Sequence, residues 1–228
     1  MPRLHFTTGS LRRTRILPET DRIRETLFAL ELLASGGGGP ELAHWRRTVG
    51  RQRPAKRLIE LAKAIRPFPD IDRLVQRAHW RDRPSATPTG ARPNRVTQTL
   101  QHFYHASVAP YWDQIAKSLE YDRVARMSVL RERGADGLLS SLHPKVQWSC
   151  SALEVPGHGT DLKLESVGLT IAPSFFLPPG ATVLIRQTPL RPGPTLFYPI
   201  RSDDGPVHPR SADTSAYSTM GMIGAAGE

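Results

Sequence analysis

Ser140–Trp148, SSLHPKVQW, is the stretch where the period of the chain changes. Residues up to Leu142 read as the end of a helical region. Pro144 has no N–H to donate and its ring clashes with the preceding turn, so a helix cannot run through it. From Lys145 onward apolar residues recur at every second position. Val146, Trp148 and Cys150 then share one face of a strand, and Leu153 and Val155 resume it or open its partner. Helices before this stretch and strands after it predict an α+β fold. In that reading His143 is punctuation, setting with Pro144 the angle at which the first of these strands enters its sheet.

Upstream, Leu4–Thr7 has the alternation of a short strand, followed by basic turn residues to Pro18. Ile23, Leu27, Leu30 and Ala34 recur at helical spacing, widened by Phe28, Leu32 and Leu33. Gly36–Gly39 and Pro40 end that helix. These glycines are not followed by the Gly-Lys-Ser/Thr that brings a lysine to a phosphate, so they read as a connector. Short helices are predicted over 41–48, holding Trp45, over 55–65, and from the cap Asp70 through Ile71, Leu74, Val75 and Ala78. Residues 81–93 form a polar linker. Asn94 caps the longest helical pattern, through Val96, Leu100, Phe103, Val108, Tyr111, Ile115 and Leu119, which Pro110 must kink or divide. Val124, Met127 and Leu130 continue the pattern until Gly134 and Gly137 loosen it.

Downstream, strands are predicted over 169–172 with 175–177, over 182–187 and over 195–200. Their short spacing suggests a small antiparallel sheet of about four or five strands, with Leu4–Thr7 as an available addition. Residues 1–201 thus read as one α+β domain, mainly helical over 1–142 and stranded over 143–201. Residues 202–228 show no sustained period and read as a poorly structured tail.

Charge and cysteine usage narrow the function classes. The net charge of +10 lies wholly in the first hundred residues, with 20 Lys or Arg against 9 Asp or Glu; the remainder holds 11 against 12. This is either a footprint for a polyanion or the consequence of a chain rich in arginine, 26 in all against 5 lysines. The basic half lacks the interleaved aromatics of a single-strand binder, which favours solvated helix faces. Cys150 is the only cysteine, which excludes an internal disulfide and a multi-cysteine zinc site and makes the cytoplasm the expected compartment. No signal-peptide pattern opens the chain. Ser166–Ile185 carries no charge, yet Gly168, Pro173, Pro178, Pro179 and Gly180 break it, so two buried strands around a Pro-Pro-Gly turn are expected rather than a membrane span.

The candidate chemistry is sparse. His102 and His105 form a two-histidine half-site at helical spacing, with Asp113, His79 or Cys150 as conceivable third ligands, but no spacing demands a metal. Ser174 lies in no Gly-x-Ser-x-Gly elbow, Cys150 sits in a β pattern that should bury or inertly present its thiol, and His143 and His158 lack an evident partner. Asp203 and Asp204 read as a solvated turn. No catalytic residue, metal or cofactor is therefore assigned. The aromatic side chains are more informative. Tyr111, Trp112, Trp148, Phe175 and Tyr198, together with Tyr104, Tyr121, Phe176 and Phe197, line elements that must pack on something. They make either ordinary core or the walls of a cavity for an apolar small molecule.

Six stretches in consistent order, LHFTTGSL, ETLFALELL, APYWDQI, ADGLLSSLHPKVQW, GLTIAPSFFLPPGATVLI and PTLFYPIR, resemble the long N-terminal domain of winged-helix, ArsR-like transcriptional regulators. The likeness spans about residues 3–201, and the Leu-His-Pro-x-Val-x-Trp stretch and the proline-rich strand pair are its most specific parts. It implies a ligand-sensing or dimerisation domain, working as a homodimer or paired with an intact regulator. In such proteins a C-terminal winged helix-turn-helix reads the DNA. Only 28 residues follow Ile200 here, so the expectation is a domain without its reader, with weak or indirect DNA contact and no DNA-binding residue to carry over. The alternative expectation is an enzyme acting on a small molecule in an α/β cleft.

Overall fold

The computed structural model describes residues 1–18, 22–51, 95–142, 145–156, 160–185 and 193–200. Leu4 and Phe6 face inward and Arg3 and His5 outward along β1 (Arg3–Phe6). Thr7 closes that strand and caps α1 (Thr8–Arg12): its hydroxyl accepts from Ser10 N at 3.1 Å, and Ser10 Oγ accepts from Thr7 N at 2.9 Å. The basic residues that follow are not all turn, because Arg15–Ile16 forms β2. α2 (Arg22–Ser35) buries Leu27, Phe28, Ala29, Leu30 and Leu32. The glycine connector after it is held by Arg46, which donates to Gly36 O at 2.9 Å and Gly37 O at 2.6 Å. A 3₁₀ turn (Pro40–Leu42) then leads into α3 (Ala43–Gly50), with Trp45 fully buried. The helices predicted over 55–65 and from Asp70, the linker 81–93, His143, Pro144 and the tail 202–228 lie outside the described residues.

The long helical pattern is divided as Pro110 requires. α4 (Arg95–Phe103) passes into a π-turn (Tyr104–Val108), then a 3₁₀ turn (Ala109–Tyr111), then α5 (Trp112–Ser140). Within α5, Gly134 leaves helical geometry at φ +68°, ψ −170°. The remaining strands are β3 (Gln147–Ser149), β4 (Ala152–Glu154), β5 (Leu162–Leu164), β6 (Thr170–Ser174), β7 (Val183–Ile185) and β8 (Thr195–Pro199).

The class is α+β, but the sheet differs from expectation. Two four-stranded mixed sheets form, in the orders β3-β4-β1-β5 and β2-β6-β8-β7. β1 runs antiparallel to β4 and parallel to β5, while β2, β6 and β8 are mutually parallel along their ladders and β7 is antiparallel to β8. The N-terminal segment supplies a strand to each sheet, β1 to one and β2 to the other. Alternation reveals which face a residue takes but not the direction of its neighbour, and the parallel pairings join segments about 155 residues apart in β2 and β6. The Pro-Pro-Gly turn is present, with Ala181 N bonded to Pro178 O at 2.9 Å and Gly180 at φ +82°. Its flanking strands β6 and β7 do not pair with each other, because β8 lies between them. Close backbone approach at the start of this sheet requires Gly168, where a Cβ would fall 2.0 Å from Arg13 O.

β6 and β8 separate two cores. Ala172 and Phe197 pair in register and belong to the first, with α2, α3, the π-turn and the start of α5. Ile171, Leu196 and Tyr198 belong to the second, with Leu4, Phe6, Leu138, Leu139, Leu142, Val146 and Leu153. Leu142, after the end of α5, and Val146, before β3, both enter this second core. Among the described residues no helix is long and apolar enough to cross a membrane.

Candidate functional site

The first core contains the chemistry least explained by packing alone. Its roof is the π-turn, in which Ala109 N–H reaches back five residues to Tyr104 O. The widened turn and the missing N–H of Pro110 leave carbonyls here in need of donors. Ser107 O obtains one from Trp45 Nε1 at 2.7 Å. The Trp45 ring in turn packs 4.7 Å from Phe176.

The floor is the end of β6 and the turn beyond it. Phe175 and Phe176, predicted as strand, leave the ladder here. Their N–H groups are taken instead by Glu25 Oε2, at 3.1 Å and 3.2 Å. Glu25 is only 2% exposed and sits on the inward stripe of α2 with Phe28, Ala29 and Leu32. Helix α2 thereby fixes the direction in which the two aromatic rings leave the sheet; they meet edge to face at 5.3 Å. Phe28 packs edge to face on Phe197 at 5.4 Å, and the Arg24 guanidinium lies 5.2 Å from the same ring.

Two hydroxyls in this region have no hydrogen-bond partner among the described residues: Ser107 Oγ on the π-turn and Ser174 Oγ at the end of β6. Both side chains are nine-tenths buried or more, at 1% and 0% exposure. Ser174 alternates with Ala172 and so takes the face of β6 directed at the first core. An unmet hydroxyl in an apolar surround costs about 1–3 kcal/mol.

The five aromatic candidates from the sequence are divided between the cores. Tyr111 and Phe175 are buried in the first, and burial raises the Tyr111 phenol above its ordinary range. Trp112 stands at its edge, 6.3 Å from Tyr104 with Arg22 5.1 Å over its ring. Trp148 and Tyr198 belong to the second core. Trp148 packs edge to face on Phe6 at 5.2 Å and donates from Nε1 to Asp136 Oδ1 at 3.2 Å. Tyr198 donates to Asp122 Oδ2, while the Arg126 guanidinium lies 5.4 Å over its ring and 3.6 Å from Asp122 Oδ1. Arg126 also donates to Ser141 O at 2.7 Å and Leu142 O at 3.3 Å, tying the end of α5 to its middle. Burial raises the Asp122 carboxyl above the usual aspartate range, against the opposing effects of Tyr198 and Arg126. Tyr198 is pushed well above its ordinary value, first by burial and then by the Asp122 charge.

The remaining candidates fall elsewhere. His102 and His105 are exposed, and no group of three or more His, Cys, Asp or Glu among the described residues could hold a metal ion. Cys150 is exposed in the turn between β3 and β4, not buried in a strand, because the two-residue hairpin places it and Ser151 at φ +49° and +61°. His158, Asp203 and Asp204 lie outside the described residues. Sequence reasoning weighed Ser174 only as a nucleophile and passed over Ser107 and Glu25. An acid on the inward stripe of the apolar run ETLFALELL was the available signal for Glu25. Pro110, three residues beyond a serine in an apolar helix, was the signal for Ser107.

Comparison with family models, with curated proteins and with solved structures found no match to this chain.

Proposed function

We propose that this chain is a cytoplasmic ligand-sensing and pairing domain of an ArsR-like regulator, with DNA reading assigned to a module outside these residues. The observation that carries the sensing role is the pair of buried, unpartnered hydroxyls of Ser107 and Ser174 beside an aromatic core roofed by a π-turn. A ligand suited to it is small and largely apolar, with one or two polar groups to meet those hydroxyls. Binding rather than turnover is favoured because the buried Glu25 carboxylate of this core already accepts from two backbone N–H groups. The π-turn supplies a segment whose hydrogen-bond register can change when the core is occupied.

Thermal shift with phenol, indole and benzamide as probes tests this on the full chain. One or more probes should raise Tm for the wild type. Ser107→Ala and Ser174→Ala should each raise the apo stability by about 1 kcal/mol, since each removes an unmet polar group, and should shrink the probe-induced shift. Lower apo stability in both variants together with no probe shift in the wild type would refute the sensing reading.

A further inference from the structure

Helix α5 turns one face to the two cores, and on another face it carries apolar side chains that are exposed among the described residues. Ile115 and Leu119 enter the first core, and Met127, Val129 and Leu130 pack against the second. On the other side Tyr121 is 81% exposed and Val124 56%; among the described residues Met1 is the one other exposed large apolar side chain. Scattered exposed apolar residues need no explanation. These two are not scattered: with exposed Lys117, Ala125, Ser128 and Glu132 they recur at spacings of three and four along one helix face. The pattern is a seam of about 24 Å, taking ~1.5 Å per residue over 117–132.

We propose that this seam pairs with the same seam of a second copy, antiparallel, about a two-fold axis passing between Val124 and Ala125. In that register Tyr121 lies opposite the small Ser128 of the other copy, and Val124 opposite Ala125. Lys117 lies opposite Glu132, so the two ends of the seam carry complementary charges twice per dimer. Arg131 of one copy falls within one helical turn of Glu120 of the other. A parallel arrangement would oppose Lys117 to Lys117 and Tyr121 to Tyr121, and the like charges disfavour it. An interface of one helix face is at the small end of the stable range, so the dimer is reversible. This gives the pairing part of the proposed function a surface, and it does not depend on ligand binding.

Sedimentation velocity of the full chain over a range of concentrations, with circular dichroism as the folding control, tests the register. Wild type should show concentration-dependent dimer. Lys117→Glu and Glu132→Lys should each weaken it at least tenfold, because each variant opposes like charges, and both should keep the wild-type dichroism since the side chains are exposed. The double variant, and an equimolar mixture of the two single variants, should recover dimer. Tyr121→Glu should abolish it. A wild type that stays monomeric overturns the proposal, and Tyr121→Glu unfolding such a monomer would mean that another segment of the chain covers the face. A dimer indifferent to the charge reversals places the interface elsewhere, and failure of the mixture to recover excludes the antiparallel register. The probe shifts above are read on the same samples, so loss of pairing and loss of sensing are separately visible.

Discussion

Replacing Glu25 perturbs the junction between α2 and the end of β6 at a single atom. Glu25 Oε2 accepts from Phe175 N and Phe176 N, and all three residues are buried at 5% exposure or less. A hydrogen bond to a charged acceptor contributes about 1.5–3 kcal/mol, and a buried donor left without a partner costs about 1–3 kcal/mol. Glu25→Ala removes the acceptor for both N–H groups, so the expected loss is about 3–5 kcal/mol, a large part of a typical domain stability of about 5–15 kcal/mol. Glu25→Gln keeps an oxygen in the same place without its charge and should lose only about 1–2 kcal/mol. Urea unfolding followed by circular dichroism measures both, with the slope unchanged if only the native contact is affected. A Glu25→Ala loss below about 1 kcal/mol would show that the two N–H groups find another acceptor. The reasoning that α2 aims the Phe175 and Phe176 rings would then fail.

Acidification should act on Asp122 in the sense opposite to most carboxylates. Because burial raises its folded pKa above the unfolded value, its contribution is fully present below the unfolded aspartate range and is lost as pH rises through the folded value. The stability of wild type relative to Asp122→Asn should therefore rise as pH falls from 7 towards 4. Paired melting curves check this, and a difference that shrinks on acidification refutes it. In the hairpin turn, Cys150→Asn with Ser151→Gly replaces two left-handed non-glycine residues by the pair that two-residue turns favour. The double variant should gain about 1–2 kcal/mol in urea unfolding; no gain would mean that the turn is relaxed as it stands.

What the sequence made legible follows from which interactions are local. The change of period at Lys145, the amphipathic stripe of α2 and the division at Pro110 depend on neighbours a few residues away, and all three are present. The parallel sheet was not legible, because β2 is two residues long and acquires its identity only by bonding to β6. Cys150 followed the alternation of its strand on paper, yet the tight turn overrides that period. The aromatic candidates were chosen by type, and type does not tell which side of β6 and β8 a ring takes. Ser107 Oγ, without a partner among the described residues, stands out only once its neighbours in space are placed.

The wall formed by β6 and β8 carries a mechanical consequence. Consecutive residues on these strands face opposite ways, so Ala172 and Phe197 are one peptide unit from Ile171 and Tyr198. Peptide planes are stiff, and a shift of the wall that makes room on one side takes it from the other. A side chain enlarged at Ala172 is therefore felt at Ile171 and its neighbours in the second core, so the two cores share one packing tolerance.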